Sequence, residues 1–340
     1  MTEFSSIPKY SLGRKIRHVL LIAIIFPAFV WIYGALYFDG VSKELAAVQA
    51  VIMLGIWIFV KSCSRKLWIF SIWFAVVLVW WISLKPSNVG NWQPDVAEKA
   101  FAEIENDEVT LHHVRNCEYR TDTDFTVRWE TRKVRLSQLI GIDLFITYWG
   151  SPWMAHPILS FQFADAPPLC FSIETRKREG QSYSAVGGLY RQFDLIYIVA
   201  DESDVIRLRT NYRKDEEVYL YRTSVSPAEA RKRFLEYLRS INGLCEQARW
   251  YHAITTNCTT AIRSQHPTSE RMPWDWRLLL NGKGDELMYE RHTILTDGLP
   301  FNELKRRAQI NTAAKAIHDA VDFSQRIRIG RPGMSSTSSP

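Results

Sequence analysis

Residues 19–38, VLLIAIIFPAFVWIYGALYF, hold no Asp, Glu, Lys, Arg or His, and residues 67–84, LWIFSIWFAVVLVWWISL, repeat that pattern. A helix rises about 1.5 Å per residue and a bilayer's hydrocarbon core is about 30 Å thick, so both segments are long enough to span it. Between them, residues 45–60 (LAAVQAVIMLGIWIFV) form a shorter apolar run that ends at Lys61, whose stem can bury while its ammonium stays at the interface. A soluble helical core would need polar faces, and these segments are apolar all round. A cleaved leader fits poorly, because the first run is too long and lacks a small-residue cleavage site. Three transmembrane helices over 19–84 are therefore expected.

The flanks orient them. Lys9, Arg14, Lys15 and Arg17 precede the first run, and Lys61, Arg65 and Lys66 fill the loop before the third, whereas the loop DGVSKE offers only Lys43. The positive-inside rule places residues 1–18 and the KSCSRK loop in the cytoplasm of a bacterial inner membrane, and all that follows in the periplasm. Trp31, Tyr33, Tyr37, Trp80 and Trp81 fall at the outer ends, where amphipathic rings prefer to sit.

After Lys85 the composition changes. KPSNVGNWQP reads as a linker within residues 85–100, residues 101–329 as one α+β domain, and 330–340 as a disordered tail after the basic Arg326, Arg328 and Arg331. The alternation predicts a short helix over 95–104 and strands over 121–129, 144–149, 156–163, 169–175, 193–200 and 218–221. Ser226-Pro227-Ala228-Glu229 carries the signature of a helix start, with Ser226 as N-cap and Glu229 closing a capping box, and the helix is expected to run to 241. The net charge of +6 suits anionic lipid headgroups near a bilayer; nucleic acid is not an expected partner there.

Five cysteines are present, and Cys63 lies in the cytoplasmic loop. On the oxidising side, Cys117, Cys170, Cys245 and Cys258 would ordinarily read as two disulfides. Their spacing matches no zinc pattern, and His112-His113 near Cys117 reads as strand surface, so neither metal nor cofactor is expected. Cys258 alone has distinctive surroundings, in RWYHAITTNCTTAIRSQ (249–265). Thr255, Thr256 and Asn257 are N-cap types, which places the thiol near a helix N-terminus whose unpaired N–H groups favour a thiolate. Asn257 and Thr259 flank it as candidate support for an oxyanion. A base is still required: His156, at the mouth of the strand 156–163, is the candidate, and His252 its competitor.

Residues 156–163 and 169–175 form an expected hairpin about the turn ADAPP. With the turn centred near Ala166, paired residue numbers sum to about 332, so His156 faces Arg176 and Ile158 faces Glu174. Residues 156, 172, 174 and 176 then share a face. Glu174 becomes a diagonal neighbour able to orient the imidazole, or else one half of a buried ion pair with an arginine.

Taken in order, RWETRKVRLSQLIGIDLFITYWGSPWMAHPILSFQF, FSIETRKREG, YIVADESDVIRLRTNYR, YHAITTNCTTAIRSQ, DWRLLLNGKGDELMYERHTIL and LPFNELKRRAQI resemble the periplasmic domain of the Lnb-type lipoprotein N-acyltransferases over about 112–329. The resemblance implies a circularly permuted papain-like cysteine-enzyme fold, with histidine early in the chain and cysteine late. The family's AH-x-x-x-SF histidine falls on His156 and its N-C-T cysteine on Cys258; Glu174 comes from the hairpin geometry instead. It also implies acyl transfer from a phospholipid or lipoprotein ester through a thioester. Family members carry further membrane segments after this domain, whereas here the apolar runs precede it. A papain-like amidase or peptidase acting on cell-wall peptides needs the same pair, and a non-catalytic envelope binding module is the remaining alternative. The oligomeric state has no signature in the sequence.

Overall fold

The computed structural model describes residues 12–40, 42–255, 262, 273, 275–278 and 281–334. They form two units: residues 1–86 with 184–192, and residues 87–183 with 193–340.

In the first unit, the apolar runs form helices α1 (Leu12–Asp39), α2 (Lys43–Phe59) and α3 (Cys63–Ser83). They pack through Ile25, Ile32, Ala35, Met53, Phe70 and Val77. Two of them, over Ile22–Asp39 and Cys63–Ser83, are long and apolar enough to cross a membrane, not three as expected. The reason is length: α2 has 17 residues, or about 25 Å, which is less than the hydrocarbon core. Arg191 finishes α3 by donating from Nη1 to the carbonyls of Trp81, Ile82 and Leu84 at 2.6, 3.0 and 2.9 Å. Carbonyls at a helix C-terminus lack the usual i+4 amide partner, although Trp81 O also accepts from the Leu84 amide at 3.3 Å, and a cation there suits the helix dipole.

The second unit is an α+β domain built on a mixed sheet. Its strands are β1 (Phe101–Glu105), β2 (Glu108–Arg115), β3 (Glu118–Tyr119), β4 (Phe125–Thr126), β5 (Trp129–Arg135), β6 (Leu139–Trp149), β7 (Ser151–Phe163), β8 (Leu169–Arg176), β9 (Asp194–Asp201) and β10 (Glu216–Arg222). Among the described residues the order is β1-β2-β9-β8-β7-β6-β10, with β5 also on β2, while β3 and β4 pair separately. Residues 95–104 are not a helix: a 3₁₀ turn, Pro94–Val96, leads into β1. The expected strand 121–129 is likewise broken between β4 and β5.

Both faces of the sheet are covered, which is why β6 to β9 read as long apolar runs. One face packs Phe161, Phe171 and Tyr197 against α5 (Pro227–Glu246), whose Ala230, Phe234, Tyr237, Leu238 and Ile241 recur at helical spacing. The other packs Phe145, Ile158, Ile198 and Leu220 against α4 (Glu202–Arg207) and the C-terminal Ile310, Phe323 and Ile327. Ser226 caps α5, its Oγ accepting from the Glu229 amide at 3.3 Å, while the Glu229 carboxylate bonds Arg233 at 2.8 Å. Half of the capping box is thus formed. Ser226→Ala should cost about 1 kcal/mol and Ser226→Asp close to nothing. A thermal midpoint unchanged by the alanine would contradict that assignment.

The C-terminal segment packs on the domain. It contributes α6 (Gly284–Glu290), α7 (Phe301–Ala308), α8 (Asn311–Ala316) and α9 (Phe323–Arg326). Packing continues through the buried Pro332 to Met334, and the Gly333 amide donates to Asp297 at 2.8 Å. Arg328 is enclosed as the counter-ion of Asp143 and Glu202, because both of those carboxylates are fully buried.

Candidate active site

The hairpin of β7 and β8 carries the described half of the site. Its register is Ile158 opposite Ser172 and Ser160 opposite Cys170, so paired numbers sum to 330. The turn is centred one residue earlier than expected, which slides the strands by two. An even slip keeps every side chain on its face. It also brings residue 174 into line with 156 in place of the expected 176; Arg176 instead donates to the carbonyl of Val96 at 3.0 Å.

His156 is buried at 7% exposure. Its Nε2 lies 2.7 Å from Ser172 Oγ and 3.3 Å from Glu174 Oε1. Ser172 Oγ in turn donates to Glu174 Oε1 at 2.6 Å. Behind the carboxylate, Arg209 donates from Nη2 to Glu174 Oε1 at 3.0 Å and from Nη1 to Glu216 Oε2 at 3.2 Å. Both roles foreseen for Glu174, histidine neighbour and arginine ion pair, are therefore occupied at once by one carboxylate oxygen. Arg209 reaches it from a π-helical turn, Leu208–Tyr212, that follows α4. Such wide turns re-aim a side chain out of helical register and recur at functional sites.

Electrostatics follow from these contacts. Burial pushes Glu174 up, but the charges of His156 and Arg209 and the Ser172 hydrogen bond outweigh it, holding the carboxyl well below its usual range. Its side chain is still 27% exposed, so the cost of keeping that charge is smaller than for a sealed carboxylate. Burial opposes the Arg209 charge, yet Glu174 and Glu216 together keep its proton bound more tightly than usual. Opposite His156 on β6 stands Thr147, whose buried hydroxyl has no partner among the described residues.

Cys258, Asn257 and Thr259 lie outside the described residues. His252, the competing base, spends its Nδ1 on a turn, accepting from the amides of Ile254 at 3.3 Å and Thr255 at 3.2 Å. Cys117, Cys170 and Cys245 are free thiols, so the two-disulfide expectation does not hold for them. Burial pushes the Cys117 thiol up to about 11 and raises Cys170 and Cys245 as well. None of the three is placed to be a thiolate. His112 stacks on Phe101 with ring centres 4.4 Å apart, and among the described residues no cluster suits a metal ion.

An apolar rim begins two residues before His156. Trp153, Met154 and Trp276 are exposed, with the two indoles 6.4 Å apart. The turn Asn281–Lys283 closes tightly against β7: a Cβ on Gly282 would lie 2.3 Å from the Pro152 carbonyl oxygen, so only glycine fits. Lys283 then sits over the Trp153 ring at 5.5 Å.

Sequence reading placed Ser172 on the face of His156 and Glu174 without giving it a role. It missed Arg209 and Glu216, since a π-turn leaves no periodicity to detect. No curated protein and no solved structure matches the chain. The family model that does match covers less than the 112–329 stretch of the resemblance. Residues 125–282, which include His156, Ser172, Glu174, Arg209 and Cys258, match the family model of the Lnb N-terminal periplasmic domain, and the matched stretch follows the apolar N-terminal helices.

Proposed function

We propose that this is a membrane-anchored periplasmic cysteine acyltransferase or acyl hydrolase working on phospholipid or lipoprotein esters, with Cys258, His156 and Glu174 as its catalytic set. One observation carries the reading: a buried histidine has one ring nitrogen held by a hydroxyl and an ionised carboxylate. That arrangement orients an imidazole and dedicates its other nitrogen, Nδ1, to proton transfer. In the proposed cycle Nδ1 takes the Cys258 proton, and the thiolate attacks the ester carbonyl. Backbone N–H groups near Asn257 and Thr259 support the oxyanion. The C–O bond then breaks, the alcohol leaves with the proton from His156, and a thioester remains. An amine, or water in the hydrolase, attacks the thioester, gives its proton to His156 and frees the thiol.

The exposed Trp153 and Met154 on the strand that carries His156, with Trp276 against Trp153, favour a lipid over a peptide, because exposed aromatic and thioether groups suit apolar chains. The fold proposed is the circularly permuted papain-like one. In the proposed topology the N-terminus and the loop before α3 are cytoplasmic in a bacterial inner membrane, and α2 also crosses, with Lys61 at the interface.

Intact-mass spectrometry tests the reading. The detergent-purified chain, incubated with phospholipid and a diacylated lipopeptide, should gain a hydroxylamine-sensitive acyl group that Cys258→Ala lacks. Cys258 that is alkylated readily but never acylated would redirect the search to cell-wall peptide amides. A disulfide at Cys258 would leave only the binding module.

A further inference from the structure

We propose that Ser172 is a positioning residue: its hydroxyl, rather than direct contact with Glu174, fixes which nitrogen of His156 carries the proton. The proposal rests on the catalytic reading only for its consequence, since the proton assignment itself follows from the contacts. A serine hydroxyl has one proton to give. Ser172 Oγ is 2.6 Å from Glu174 Oε1 and 2.7 Å from His156 Nε2, both shorter than the 3.3 Å between His156 and Glu174. Glu174 has Arg209 Nη2 at 3.0 Å and is ionised, so its oxygens only accept. The serine proton therefore goes to Glu174.

Ser172 then has only lone pairs left for the imidazole. Nε2 must be the donor, and in neutral His156 the bare nitrogen is Nδ1. The reverse assignment, Ser172 donating to a bare Nε2, would press two lone-pair oxygens together at 2.6 Å inside the sheet. Arg209 strengthens the bias, because it keeps Glu174 charged and is itself tied to Glu216 at 3.2 Å. The chain of contacts Glu216–Arg209–Glu174–Ser172–His156 thus delivers an oriented Nε2–H, and the same bond survives when the ring becomes imidazolium. Ser172 is fully buried, so water does not compete for it.

The test is ¹⁵N NMR of the full chain in detergent with labelled histidine, the His156 signals being assigned by their loss in His156→Gln. At neutral pH the parent should show Nε2 protonated and Nδ1 bare. In Ser172→Ala the Nε2–H should exchange with water about tenfold faster, roughly the loss of one hydrogen bond. Ser172→Thr, which keeps a hydroxyl in a residue suited to strands, should restore slow exchange. A proton on Nδ1 in the parent overturns the proposal without any variant having to fold. So does an Nε2–H whose shift and exchange rate are unchanged in Ser172→Ala. Repeating the measurement on Cys258→Ala separates the two ideas, because failure of acyl transfer leaves the Ser172 result standing.

Discussion

Arg328→Met should destabilise the periplasmic-type domain by about 3–5 kcal/mol, the cost of removing one partner from a buried ion pair. Arg328 grips two carboxylates that are both at 0% side-chain exposure: Asp143 Oδ2 at 2.8 Å and Glu202 Oε1 at 2.6 Å. A second bond from Nη1 to Glu202 Oε2, at 2.7 Å, makes the pair with Glu202 bidentate. Burial pushes Glu202 up, and Arg328 brings it back below its usual value. Asp143 would keep Arg222, but Glu202 would be left with neutral partners such as the Ser160 hydroxyl at 2.5 Å and Gln162 Nε2 at 3.5 Å. A residue close to the end of the described chain thus decides whether two charges, one from β6 and one from the start of α4, can stay inside.

For a domain of this size the loss corresponds to a drop of roughly 6–20 °C in thermal midpoint, readable on the full chain in detergent. Pairing Arg328→Met with Glu202→Gln should recover most of it, since the orphaned charge is then gone. A single variant within about 1 kcal/mol of the parent would mean that water reaches Glu202. Lysine at 328 should fall between, keeping a charge while losing the fork that holds both carboxylates.

What could be read from the sequence depended on how local the determinant is. The apolar helices, the hairpin and the cap at Ser226 are each fixed by residues within a few positions of one another. His156 and Glu174 met because a two-residue register error preserves the face, whereas a one-residue error would have sent them to opposite sides of the sheet. Non-local partners stayed hidden. Arg328 read as part of a basic tail because nothing near it in sequence announces Asp143 or Glu202. Arg209 carried no signal, since its aim is set by a π-turn. Residues 95–104 looked amphipathic, but Ala102 is buried as a strand residue of β1 against β2. Tertiary pairing there overrode a weak helical period. The length of α2 was a matter of counting: a run whose apolar content suggested a third span forms 17 helical residues.

His156→Ala should slow formation of the Cys258 acyl adduct about 10²–10⁴-fold, the usual contribution of a positioned general base. Without a base the thiol must ionise by itself, and without an imidazolium the departing alcohol has no proton donor, so both halves of acylation suffer. Glu174→Gln should cost less: an amide oxygen still accepts from Ser172 but no longer favours the positive imidazolium that forms during acylation. The order of severity, histidine worse than glutamate, follows from direct against transmitted action. His252→Ala is the control, because its Nδ1 is engaged by the amides of Ile254 and Thr255. If His252→Ala abolished the adduct while His156→Ala left it within about threefold of the parent, a loss of less than 1 kcal/mol of barrier, the base would be the wrong histidine. The relay built on Ser172 and Glu174 would then be a feature of the fold and not of the chemistry.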